Sequence, residues 1–117
     1  MTFRAALLLL AAIATPAMAA QDFDTFWADF SAAAKAGDQA KVRALTEFPF
    51  LYDDKQRDAE GFAAIWKGLF TPKARACLGK GKPVKDQESY MVFCGEIIFS
   101  FGQTSAGWRF TEVGAND

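Results

Sequence analysis

Two cysteines and no histidine set the chemistry open to this 117-residue chain. Cys77 and Cys94 permit a single intramolecular pairing. A thiol nucleophile needs a base, and with no histidine and no Cys-x-x-Cys spacing neither cysteine is equipped for catalysis. The same absence removes Ser-His-Asp and Cys-His hydrolases and zinc sites of the usual histidine kind. Carboxylate chemistry and plain binding remain. Glu96 stands out because it reads as a mid-strand residue among apolar neighbours. Buried there, it would need a partner, and Arg109 on the adjacent strand is the natural candidate; on an open sheet face it is simply a solvated position. Asp53 and Asp54, with Asp58 and Glu60, form an acidic stretch interrupted by Lys55 and Arg57. It lacks the Asp-x-Asp-x-Asp-Gly order of a calcium loop, so no metal is assigned. No cofactor motif is present either.

The clearest charge asymmetry lies between positions 67 and 85. Lys67, Lys73, Arg75, Lys80, Lys82 and Lys85 fall there without one acidic residue. Such a run receives an anionic ligand, a lipid headgroup or an acidic partner, or else forms a solvated face that keeps a domain soluble. Aromatic side chains are numerous, and regular spacing assigns most of them to a core. Trp66 and Trp108 are the two that suit a pocket mouth, where an indole pairs a large apolar body with one donor.

These residues must be positioned in a particular compartment. The chain opens with one positive charge, Arg4, an apolar run from Ala5 to Ala14, and Ala17-Met18-Ala19, the layout of a secretory signal with a small-x-small cleavage site. Ten apolar residues as a helix span about 15 Å, half of what a bilayer requires, so a permanent membrane anchor is not expected. Cleavage after Ala19 removes nineteen of 117 residues and leaves 98, one domain running from Ala20 to Asp117. Arg4 leaves with the signal, so 12 basic residues face 14 acidic ones, a balance that disfavours nucleic acid. Export to the periplasm or the medium places Cys77 and Cys94 where thiols oxidise, and a disulfide between them is expected.

The elements follow from periodicity. Phe23, Phe26, Trp27, Phe30, Ala33 and Ala34 predict a helix over 22–36, ended by Gly37, with Asp38 capping a short second helix through Val42. Phe48 to Tyr52 reads as an edge strand containing Pro49, and 53–58 as a loop. Phe62, Ile65, Trp66 and Leu69 predict a helix over 59–70. Thr71-Pro72 restarts the chain as a fourth helix, to Leu78, that turns Cys77 inward. Residues 79–83 read as a basic connector. Ser89 to Phe101 reads as one long core strand with Met91, Phe93, Ile97, Phe99 and Phe101 on its inner face and Tyr90, Val92 and Ile98 on the outer one. After a turn at 103–107, Trp108 to Val113 returns as a hairpin, and Gly114 to Asp117 is a tail.

An aromatic first helix (Phe26-Trp27-Ala28-Asp29-Phe30), the Gly37-Asp38 break, Val42-Arg43-Ala44-Leu45 leading into Phe48-Pro49, and a closing Gly107-Trp108-Arg109-Phe110 strand occur together. In this the chain resembles small exported bacterial members of the nuclear transport factor 2-like superfamily. The resemblance implies an α+β fold in which N-terminal helices pack on a small, curved, cone-like antiparallel sheet, often around a pocket. Ketosteroid isomerases of that superfamily use an aspartate base with tyrosine and protonated aspartate donors. No segment here matches them, and no catalytic residue is carried over.

The expectation is therefore a periplasmic or secreted domain that binds a small molecule or a periplasmic protein without chemistry. Its pocket would be built from Trp66, Trp108, Glu96 and Arg109. The alternatives are a small isomerase- or dehydratase-type enzyme with Glu96, Asp53 or Asp54 as base, and an inhibitor or accessory subunit, including a homodimer, that uses the outer sheet face.

Overall fold

The computed structural model describes residues 22–116; the expected signal segment, residues 1–19, and its expected cleavage site lie outside the described residues. The first helix, α1 (Phe23–Ala36), starts where the Asp22 side chain accepts a hydrogen bond from the Thr25 amide at 2.8 Å. That backbone donor holds the Asp22 carboxyl below its ordinary pKa, so the cap is intact at neutral pH and weakens as acid protonates it. The helix stops at Gly37, whose φ of 72° lets its amide and that of Asp38 turn back onto the last carbonyls. Asp38 then caps α2 (Gln39–Ala44) through the Lys41 amide.

A small hairpin follows: β1 (Phe50–Tyr52) falls within the expected edge strand, and β2 (Lys55–Arg57) pairs with it where a loop was expected. Asp53 and Asp54 both adopt positive φ, 55° and 62°, and close a two-residue turn whose twist suits a hairpin. A 3₁₀ turn over Ala59–Gly61 leads into α3 (Phe62–Leu69), and α4 spans Pro72–Lys80. As the sequence predicts, Thr71 caps α4 by accepting from the Ala74 amide at 3.2 Å, with Pro72 in the first turn. Thr71→Ala is expected to cost about 1 kcal/mol, read as a lowered urea midpoint with an unchanged slope.

The chain finishes in a four-stranded antiparallel sheet of β3 (Val84–Asp86), β4 (Ser89–Cys94), β5 (Ile97–Thr104) and β6 (Gly107–Ala115), ordered as in the sequence. The expected single strand over 89–101 is thus two strands joined at Gly95-Glu96, with Cys94 opposite Ile97 and Val92 opposite Phe99. That turn reverses the expected faces on β4. Even-numbered residues of β4 share a face with odd-numbered residues of β5, so Tyr90, Val92 and Cys94 point inward with Ile97, Phe99 and Phe101. Met91 and Phe93 point outward, and Phe93 is 45 % exposed. Three further boundaries move. The helix α4 runs two residues beyond Leu78 into the supposed connector, β3 forms just after that connector, where no element was expected, and β6 continues two residues into the supposed tail, beyond which the Asn116 amide donates to the Glu96 carbonyl at 2.8 Å.

Register slips once, between β5 and β6: Ser100 faces Glu112 and Phe101 faces Phe110, so Thr111 is an extra residue on β6. A bulge of this kind bends its strand and sharpens the twist, curving the sheet over the helices. Phe26, Phe30, Phe50, Phe99, Phe101 and Phe110 are fully buried in the layer between helices and sheet. Phe30 packs edge-on to Phe101 with ring centroids 5.0 Å apart, and Phe50 lies 4.7 Å from Phe110. Burial of each phenylalanine contributes on the order of 2–3 kcal/mol, which makes this layer the main source of stability. The one buried polar residue among those described, Thr46, donates its hydroxyl to the Val42 carbonyl at 2.7 Å. Beside it the chain pairs in parallel with the last strand: Phe110 donates to the Leu45 carbonyl at 2.8 Å and accepts from the Glu47 amide at 2.9 Å.

Together these elements make an α+β fold of helices packed on antiparallel sheet. Cys77 in α4 and Cys94 at the end of β4 form the expected disulfide, with Cα atoms 5.9 Å apart. It ties the fourth helix to the sheet, and its geometry follows from the restart at Thr71-Pro72, which lays α4 so that Cys77 meets the inward row of β4. A disulfide of this kind fits an oxidising compartment. No helix among the described residues is long and apolar enough to cross a membrane.

Candidate functional site

The proposed interior pocket does not assemble. Glu96 is exposed in the β4–β5 turn rather than set in mid-strand, and Arg109 faces Gly102, six positions further along β5. At 3.3 Å per residue the two lie about 20 Å apart along the sheet, so they form no pair. The cause is the turn itself: once Gly95 adopts φ of 66°, Glu96 leaves the sheet surface altogether. The Arg109 Nη1 group instead donates to the neighbouring Trp108 carbonyl at 2.7 Å.

The two tryptophans also take other places. Trp108 is 9 % exposed and belongs to the core, edge-on to Phe23 at 5.1 Å and to Tyr90 at 5.5 Å. Trp66 is half-buried on α3, stacked on Phe70 with centroids 5.0 Å apart and planes at 16°. Its outer face is covered by Arg75, whose guanidinium carbon stands 5.7 Å from the ring centroid. Neither indole lines the surface grooves beside α4, and the inner face of the sheet is covered by packed phenylalanine side chains. The carboxylates Asp53 and Asp54 are turn residues with exposed side chains, remote from Glu96 in the topology. Among the described residues no group of three or more histidine, cysteine or acidic side chains is placed to hold a metal ion.

Surface grooves remain, and the basic run is distributed over two of them. One, of about 420 Å³, lies between the end of α1 and the exposed side of α4, lined by Lys35, Pro72, Arg75, Ala76, Gly79 and Lys80. The other, of about 320 Å³, sits beside the disulfide, with Thr71, Lys73 and Ala74 on one side and Gly95, Glu96 and Ile97 on the other. Lys67, Lys82 and Lys85 are exposed and line neither; the Lys85 ammonium rests 5.9 Å from the Tyr90 ring. Helical spacing explains the division, since Lys73 and Arg75 are two residues apart and therefore point to different sides of α4. The sequence reading missed Lys35, which joins Arg75 and Lys80 from forty residues upstream. Nothing local could have flagged it, because its place depends on how α1 packs against α4.

Arg75 is the best-anchored of these cations. Its Nε donates to the Phe70 carbonyl at 3.1 Å, at the break between α3 and α4, while its charge lies over Trp66. The arrangement can hold a negative charge at the surface of α4; it presents no nucleophile, no base and no oxyanion cradle. Compared with protein-family models, with characterised proteins and with solved structures, the chain matches none.

Proposed function

We propose that this chain is an exported, non-catalytic binding protein that takes its ligand on its surface, with the basic side of α4 as the site. The observation that carries the reading is the filled interior: the space that would house a substrate between helices and sheet is occupied by fully buried phenylalanines. Export, to the periplasm or beyond, is supported by the signal-like start of the sequence together with the disulfide. Kinship with the nuclear transport factor 2-like superfamily is part of the proposal. In its favour stands the order of elements, helices first and a curved antiparallel meander last. A filled cone of that kind would be a scaffold whose surface does the binding.

The test is a neutral, environment-sensitive apolar dye such as N-phenyl-1-naphthylamine. Surface binding predicts no stoichiometric fluorescence gain and no shift of core amides around Phe99 and Phe110. Saturable uptake with those amides moving would establish an interior site and defeat the reading.

A second reading has its own support. Val84 and Phe93 are 52 % and 45 % exposed, and the register places Met91 between them and Ile98 beside Phe93 on the same outer face. This corrects the expected interaction face, because Tyr90 and Val92 turn inward and only Ile98 of the three stays outside. A protein partner or a second copy of the chain on this face would show as a complex in sedimentation that Phe93→Ser abolishes.

A further inference from the structure

We propose that the groove between the end of α1 and the exposed side of α4 binds a phosphate or carboxylate group carried on a short apolar body. This rests on the surface-binding reading and names its ligand class. Three cations from two elements, Lys35, Arg75 and Lys80, line the groove and no carboxylate does. Its floor is apolar, made by Pro72, Ala76 and Gly79, which succeed one another along one side of α4 at steps of four and three residues.

One of the three cations, Arg75, has its charged group anchored, and a second, Lys35, has its stem packed. A side-chain carbon on Gly79 would lie 2.9 Å from the Lys35 Cβ and 3.0 Å from its Cγ. The absence of a side chain there lets the Lys35 stem lie directly against α4. Arg75 is fixed more firmly, by its Nε bond to the Phe70 carbonyl and its position over Trp66. Its Nη1 lies 2.7 Å from where a side-chain carbon on Gly37 would sit, so the space beside that residue is also taken up by the guanidinium. Only one of the five Arg75 donors is used by the Phe70 bond, and a guanidinium fork matches the oxygens of a carboxylate or phosphate. The nearby acid, Asp38, does not line the groove; its side chain accepts from the Lys41 amide at 3.1 Å at the start of α2. A bare inorganic anion would satisfy the cations and leave the apolar floor wet, whereas an attached alkyl group covers it.

The experiment titrates the disulfide-bonded protein with hexyl phosphate and with inorganic phosphate at matched ionic strength, following amide and side-chain shifts. Saturable changes confined to residues 35–37 and 72–80 are expected, with hexyl phosphate binding at least about fivefold more tightly than inorganic phosphate. Lys35→Gln combined with Lys80→Gln, both exposed positions, is expected to weaken hexyl phosphate about tenfold while circular dichroism stays the same. Phosphatidylcholine vesicles with and without phosphatidylglycerol separate the sources. Co-sedimentation with the anionic vesicles alone assigns the anion to a lipid headgroup, and hexyl phosphate binding without co-sedimentation assigns it to a soluble amphiphile. The proposal is overturned by no saturable shift, by equal affinity for the two phosphates, by changes spread equally over Lys67 and Lys85, or by indifference to the double substitution. Such a failure removes the α4 groove as the site but leaves the dye result, and with it binding at the surface rather than in the interior, untouched.

Discussion

Replacing Phe110 by alanine is expected to remove about 4 kcal/mol of stability, a large share of the ~5–15 kcal/mol that holds a domain of this size folded. Phe110 is fully buried, and its ring lies within 6 Å of those of Phe30, Phe50, Phe70, Phe99 and Phe101. Truncation loses the transfer free energy of the ring and leaves a hole bordered by other rigid rings, which cannot collapse into it. The backbone at this position also bonds to the chain at Leu45 and Glu47, so the surroundings are pinned on both sides. Urea denaturation followed by tryptophan fluorescence checks the value. A loss below about 1 kcal/mol would mean that the phenylalanine layer is not packed as described.

Removing the disulfide comes next in size. The bond spans a sequence separation of 17, and constraining a loop of that length in the unfolded chain is worth about 3 kcal/mol. Cys77→Ala with Cys94→Ala is therefore expected to lower the melting temperature by about 10–20 °C, with the circular dichroism of the folded state retained. Both sulfurs are replaced together, since a single substitution would leave one free thiol beside a surface groove. An unchanged melting temperature would show that contacts between α4 and β4 alone set the position of the helix. In a reducing medium the wild-type protein should behave as the double variant does, which makes the same measurement a check on the oxidised state.

The helices were legible because their signals are local. Asp22, Gly37, Asp38, Thr71 and Pro72 each act within one turn of chain, and each performs in the structure the role its side chain or backbone dictates. The Cys77–Cys94 pairing was legible for a different reason, as a count of two allows one answer. The sheet was harder. In β4 both rows are apolar, Tyr90, Val92 and Cys94 on one side and Met91 and Phe93 on the other, so alternation could not say which row faces the core. The Gly95-Glu96 turn sits inside that apolar run without the asparagine or aspartate that usually advertises a hairpin, and missing it reversed the inner and outer faces of β4. The error then carried Glu96 into an imagined pocket. Asp53-Asp54 is rightly placed outside a helix by its polar loop reading, but the tight turn and the strand after it are not foreseen, although short acidic side chains tolerate the left-handed backbone found there. The groove at α4 was half visible: Arg75 and Lys80 belong to the basic run, while Lys35 enters only through tertiary packing.

The pairing of Phe110 with residues 45–47 has a consequence for how the molecule opens. Among the described residues every other strand pairing joins neighbours in sequence, so each hairpin closes a short loop. The bond at Phe110 instead spans more than sixty residues and fastens the helical half to the final strand. Peeling that strand away would uncover Phe30, Phe50 and Phe70 at once, since the Phe110 ring packs on all three. The C-terminal strand thus works as a clasp on the residue 45–47 segment, while the disulfide holds α4 to β4 toward the opposite edge of the sheet.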